Sequence, residues 1–274
     1  MDIKKVSAAR GKAWLLEGSD LFARSPISLL LFGLLLQMLT LLLAIPVIGV
    51  LTVLVLPILI AGALSVSRQL DSGNQVQFGG FFTLFSDNVA RRPLLILGLI
   101  NLLLGVLASL VLASSLATIA DSNLLELMQS GDPQVLASIN LSPLFRLVLE
   151  LSLVLSLVTA LNFFAVPLVA FRQVAPLQAM LISIKACLVN WVPMLVYGLA
   201  IMVFFIVVTL MFMLAATLVM MLFGGSAIAS QIMTVLTIPA LIAIQMILLC
   251  AQYLAYRDIF SAQPIDPASD QLLA

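Results

Sequence analysis

Arg146 and Glu150 lie four residues apart near one end of an apolar stretch, a spacing that lets a cation and a carboxylate pair on one face of a helix. Ionisable groups inside a membrane are often functional. The pair therefore reads as the charged lining of a cavity, or as an interfacial pair that lets a helix end rest at headgroup depth. Gln37, Asn101, Asn162 and Gln245 fall inside other apolar stretches. They offer interhelical hydrogen bonds, each worth about 0.6 kcal/mol, or polar groups around a substrate path.

Beyond these six residues the chain holds little that could carry a reaction. It has no histidine, which removes the commonest general base, the usual haem ligand and most zinc sites. It has no phosphate-binding loop of the Gly-x-x-x-x-Gly-Lys-Ser/Thr type, no Gly-x-Ser-x-Gly elbow and no calcium-loop pattern. Gly79-Gly80 and Gly224-Gly225 read as turn or helix-start glycines. Cys187 and Cys250 sit in apolar surroundings and read as packing residues, with neither a disulfide nor a metal site expected. The 12 methionines, several within 202–221, read as adaptable packing. No enzyme, cofactor, metal or nucleic-acid partner is expected.

The elements that must position these residues follow from composition. The chain is 63% hydrophobic and 9% charged, where a soluble domain carries about a quarter charged residues. Its solvent must largely be lipid. Charges are absent from 25–67, 93–120, 151–171 and 186–256. With roughly 20 apolar residues needed per crossing, these runs give six spans: 26–44, 47–67, 93–120, 147–171, 193–223 and 232–256. The runs are continuously apolar, unlike the alternating strands of a membrane barrel. The expected fold is all-α, a polytopic membrane helical bundle forming a single domain over 1–260, with a disordered tail at 261–274.

Eleven of the 12 basic residues fall in connections on one side of these spans, and Arg146 is the exception. The positive-inside rule then places both termini in the cytoplasm. Segments 10–24, 78–89 and 177–189 read as three cytoplasmic interfacial helices. In the first, Trp14, Leu15, Leu21 and Phe22 would share a lipid-facing side. Trp14, Trp191, Tyr253 and Tyr256 fit an interfacial aromatic belt. Pro26, Pro93 and Pro193 would each open the span that follows, since the first turn of a helix has no use for the missing N–H. Gly105, Ser109, Ala113 and Ala117 recur every four residues, a stripe suited to close helix contact, internal or with a partner.

Three inward spans end alike, in Val66-Ser67-Arg68-Gln69-Leu70, Ala170-Phe171-Arg172-Gln173-Val174 and Ala255-Tyr256-Arg257-Asp258-Ile259. The unit is an inward span, an Arg-polar-aliphatic ending, an interfacial helix and an outward span. Spans two and three make one copy, four and five another, six and one a third, which is a circularly permuted three-fold pseudo-repeat. Convergence of arginines and prolines at helix ends is the competing reading.

The motifs Gly11-x-x-Trp14-Leu15…Leu21-Phe22-x-x-x-Pro26, Ile45-Pro46-x-x-Gly49…Pro57-x-x-x-x-Gly62 and Tyr256-Arg257-Asp258-Ile259-Phe260 resemble a proteobacterial family of six-helix inner-membrane proteins. A remoter similarity is to the membrane domain attached to some glycerophosphodiester phosphodiesterases, whose catalytic residues have no counterpart here. The resemblance implies a bacterial inner membrane and supplies no activity. The expected function is a non-enzymatic envelope scaffold or accessory that binds membrane lipids, a membrane-protein partner or a second copy of itself. The alternative is a transporter or channel for a lipid or small apolar solute.

Overall fold

The computed structural model describes residues 2–74, 76, 88–121, 140–224 and 226–260. These form helices α1 (Ala9–Arg24), α2 (Pro26–Leu41, extended by a 3-10 turn at Leu42–Ala44), α3 (Pro46–Asp71) and α4 (Asn88–Asp121). They continue as α5 (Ser142–Asn162), α6 (Ala165–Arg172), α7 (Pro176–Val189), α8 (Trp191–Phe223) and α9 (Ala227–Phe260). No strand occurs among the described residues. Among the described residues, six helical stretches are long and apolar enough to cross a bilayer, with α5 and α6 together making the fourth. The expected interfacial helices at 10–24 and 177–189 are α1 and α7. Residues 78–87, most of the expected middle one, and the tail 261–274 lie outside the described residues.

Helix starts follow the prolines only in part. Pro26 opens α2, as its place in a first turn allows. Pro93 lies inside α4, which begins at Asn88, so it does not open that span. The chain turns from α8 to α9 at Gly224, whose φ of 64° and ψ of −165° suit a residue without a Cβ.

The fourth span is broken between Asn162 and Ala165. Pro167 has no N–H for the Phe163 carbonyl one turn back. Gln252 of α9 supplies the missing donor, its side-chain amide reaching that carbonyl at 2.6 Å. The next link is opened by a hydroxyl. Phe164 N–H donates to Ser183 Oγ at 3.0 Å, and Ser183 Oγ donates to the Ala160 carbonyl at 2.6 Å. A side chain of α7 is thus inserted where Phe164 and Ala160 would have bonded directly, a recognised cause of helix breaks.

The buried core lies at the end of the bundle that carries the basic connections, called here the basic end. Leu29, Phe32, Ile58, Leu59, Leu64, Leu94, Leu97, Phe164, Leu168, Met246, Leu254 and Phe260 all belong to it. The far halves of the spans are exposed: Leu107, Leu110 and Val111 on α4, Leu149, Leu153 and Leu157 on α5, and Met211 through Phe223 of α8 present large apolar side chains outward. The Gly105–Ala117 stripe is also exposed, with open space around Gly105, so it makes no close internal contact among the described residues.

Helix α1 corrects the sequence reading. It packs on α9 and α8, and Trp14 is 0% exposed. The face carrying Trp14, Leu15 and Leu21 meets protein, because the basic ends of α8 and α9 offer a better-fitting apolar surface than lipid does. A Cβ on Gly11 would stand 2.3 Å from the Pro193 carbonyl oxygen, and one on Gly18 would stand 2.9 Å from the Ala251 nitrogen. Tyr253 and Tyr256 are likewise buried, leaving Trp191 as the exposed member of the expected aromatic belt.

Two of the pairs expected from the pseudo-repeat meet directly. Span three lies on span two where Gly98 faces the Leu54 carbonyl, and span one lies on span six where Gly33 faces Ile242 and Met246. Between spans four and five the link is Phe163 against Tyr197, ring centres 6.0 Å apart, with α7 alongside. Each observed interfacial helix lies against the inward span that precedes it in the unit, α7 on α5 and α6, and α1 on α9.

Candidate functional site

The residues singled out from sequence do not converge on one place. Arg146 and Glu150 pair as expected, Nε to Oε1 at 2.8 Å. Ser115 of α4, 1% exposed, adds a second contact by donating its hydroxyl to Glu150 Oε2 at 2.6 Å. The trio joins α4 to α5 at the far end. Gln37 faces outward on α2, and Gln245 is half-buried on α9. Asn101 and Asn162 are half-buried on α4 and α5, which pack together. Asn162 spends its amide N–H on the Val158 carbonyl of its own helix at 3.0 Å, rather than on a neighbour. The side-chain oxygens of both asparagines are buried without a hydrogen-bond partner among the described residues.

A denser polar centre lies at the basic end, where sequence reasoning had placed only arginines. Arg10 of α1 holds Glu17 through both amino groups, at 2.6 and 3.0 Å, and Asp258 of α9 through Nε at 2.7 Å. Trp14 Nε1 donates to the same Asp258 oxygen at 2.9 Å. Arg257 reaches both oxygens of Asp71 on α3, at 2.7 and 2.9 Å, and Tyr253 donates its hydroxyl to Asp71 at 3.2 Å. Arg257 also lies 3.2 Å from Asp258 and 3.7 Å from Glu17. Each acid thus has a guanidinium and each guanidinium has at least two acids. The Arg10 proton is held more tightly than usual, chiefly by the hydrogen bond to Glu17, with Asp258 adding to it.

The three arginines that end the inward spans are arranged in a cycle. Arg68 of α3 lies over the Phe171 ring of α6, 5.6 Å from its centre. Arg172 of α6 donates to the Phe260 carbonyl of α9. Arg257 of α9 holds Asp71 of α3. Each arginine reaches the end of the next inward span, and Asp71 and Phe260 both stand three residues beyond their own helix's arginine. The rings Phe171–Tyr256 and Phe164–Phe260, with centres 5.8 and 5.4 Å apart, pack α6 against α9 within this cycle.

Ahead of α1 the chain is tied across the same end. Asn190, buried between α7 and α8, accepts from Val6 N–H at 2.9 Å and donates to the Lys4 carbonyl at 3.1 Å, while Lys4 N–H reaches the Ile259 carbonyl at 3.0 Å. The signal for this centre was present as Gly11, Trp14 and the Tyr256–Phe260 run. The acids it needs, Glu17 and Asp71, are isolated in sequence and carry no motif.

The arrangement is chemically a clamp. Its carboxylates and guanidiniums are matched to one another, and among the described residues no group of three or more His, Cys, Asp or Glu side chains is disposed to hold a metal. Cys187 and Cys250 are both free thiols.

The chain is 30% identical to a protein of Burkholderia thailandensis described as a probable inner membrane protein, over 99% of this chain and 98% of that one. No family model matches the chain. No solved structure matches it either. The match carries no link to glycerophosphodiester phosphodiesterases. With six helices of membrane-crossing length and a likeness that runs nearly end to end, the chain belongs to the family of that protein and is a multi-pass inner-membrane protein.

Proposed function

We propose that the protein is a non-enzymatic accessory or scaffold of the inner membrane, with both termini in the cytoplasm, whose far halves bind lipid or a membrane partner. The observation that carries this reading is the uneven packing along the spans. At the basic end Arg10, Arg257, Glu17, Asp71 and Asp258 pair among themselves, and α6 and α9 are in ring-to-ring contact. At the far end these spans turn large apolar side chains outward, and at its middle α8 exposes Met202, Phe205, Ile206 and Leu210. Exposed apolar surface arranged in this way is a binding surface for acyl chains or for another helix. Native mass spectrometry of the protein released from nanodiscs tests the reading. Retained lipid or a stoichiometric partner is expected, and a bare monomer at every collision energy that releases the protein would overturn it.

The same unevenness favours a second reading, transport of a lipid or small apolar solute. Large apolar side chains turned outward along α4, α5 and α8 offer an acyl chain a surface to follow. A fluorescent-lipid scrambling assay in proteoliposomes separates the two, since only a lipid transporter speeds exchange between leaflets.

A further inference from the structure

Arg146 is the chain's exception to its own charge distribution. The other 11 basic residues lie at the basic end, and a cation on the far side runs against the rule that orients the protein. Its geometry shows what the residue has to spare. Glu150 takes the guanidinium at Nε alone, 2.8 Å away. The Ser115 hydroxyl at Glu150 Oε2 anchors that carboxylate to α4, so Arg146 is held from behind. Both amino groups remain unspent on Glu150, and the side chain is 62% exposed. Two parallel N–H groups on a guanidinium edge match two oxygens of a phosphate.

Apart from Glu150, what continues along the same face is apolar. Leu149, Leu153 and Leu157 stand three, seven and eleven positions after Arg146, the spacing of one helix stripe. All three are exposed. At 1.5 Å per residue the stripe runs about 16 Å below the arginine, close to half of the roughly 30 Å hydrocarbon thickness. Arg146 itself is in the second turn of α5, where headgroups would lie. A phosphate-matching cation above an apolar track one leaflet deep has the dimensions of a single glycerophospholipid.

We infer that Arg146, braced by Glu150 and Ser115, binds the phosphodiester of a glycerophospholipid in the far leaflet, with an acyl chain laid along Leu149, Leu153 and Leu157. This rests on the lipid-binding reading above and names its ligand class and its place. The test is native mass spectrometry of the full chain with added dioleoyl phosphatidylglycerol, against dioleoylglycerol, which has the same chains and no phosphate. The wild type should retain the phospholipid in preference to the diacylglycerol. Arg146→Gln should weaken phospholipid binding about tenfold, the loss of one charge-assisted contact, and leave diacylglycerol unchanged. Arg146→Lys should recover part of the preference, and Arg24→Gln at the opposite end should alter nothing. Phospholipid held equally by wild type and Arg146→Gln would overturn the inference while leaving lipid binding in place. Displacement of the phospholipid by millimolar inorganic phosphate would overturn it in favour of a soluble anion. Retention of no lipid by the wild type would overturn both the inference and the reading it rests on.

Discussion

Arg257 and Asp71 close the cycle of inward spans: one amino group of the arginine bridges both carboxylate oxygens, at 2.7 and 2.9 Å, across the ends of α9 and α3. The two residues are not equivalent within the cluster. Arg257 has Asp258 and Glu17 in reserve, whereas the other contact of Asp71 there is the Tyr253 hydroxyl.

Their truncations should therefore differ. Asp71→Ala leaves Arg257 facing two acids and should cost about 1 kcal/mol, an ordinary net loss for a hydrogen bond. Arg257→Ala leaves Asp71, 20% exposed, without its cation and should cost about 3 kcal/mol, as breaking a pair from one side does. Unfolding curves in detergent for the two variants check the order. Equal losses would mean that the pair stands alone and the network adds nothing.

At the break in the fourth span, Gln252→Leu strips the Phe163 carbonyl of its donor and should destabilise by about 1–3 kcal/mol. The cost arises because Pro167 cannot supply the N–H itself. Pro167→Ala should restore an internal donor, so the double variant should be more stable than Gln252→Leu alone. A double-mutant cycle reads this coupling directly. Additive effects would show that the glutamine is not replacing the proline's missing bond.

Glycine substitutions should sort by what a methyl group meets. Gly98→Ala would set a Cβ 2.2 Å from the Leu54 carbonyl oxygen, and Gly11→Ala one 2.3 Å from that of Pro193, so α3 or α8 must move away. Both should be destabilised by about 1–3 kcal/mol, as overpacked sites are. Gly105→Ala meets nothing within 4 Å and should be neutral or stabilising by up to about 1 kcal/mol through helix propensity. Thermal shifts of the three purified variants suffice.

Burial pushes the Cys187 thiol up to about 11. The neutral thiol is favoured below that value, so at about pH 7.5 the reactive thiolate is a very small fraction. In a Cys250→Ser background, maleimide labelling of the folded protein should be slow and should rise with pH towards 11. In denaturant it should be rapid at neutral pH. Fast labelling of the folded state at neutral pH would mean that α7 lifts away from α5 and α6.

The six spans were legible because lipid imposes long charge-free runs, and a run of that kind has few other uses. Which apolar face meets lipid and which meets protein was not legible. Trp14 and Tyr256 suit an interface by type, yet both are buried, since an apolar solvent and an apolar neighbour ask for the same side chains. A proline at position 167 disturbs any helix that contains it, but the residues that shape the break, Ser183 and Gln252, belong to other helices. The arginine endings were visible as a repeat. Their partners were not, because Glu17 and Asp71 gain meaning only once α1 and α3 have been brought to the end of α9.

Helix α1 rests on α9, with Gly18 against Ala251 and both Arg10 and Trp14 bonded to Asp258. On the ribosome these partners are made some 240 residues apart. Helix α1 can meet α8 before α9 exists, but its bonds to Asp258 have to wait for the last span. The last span then supplies its seat, and the ring of contacts shuts only when synthesis has passed Asp258.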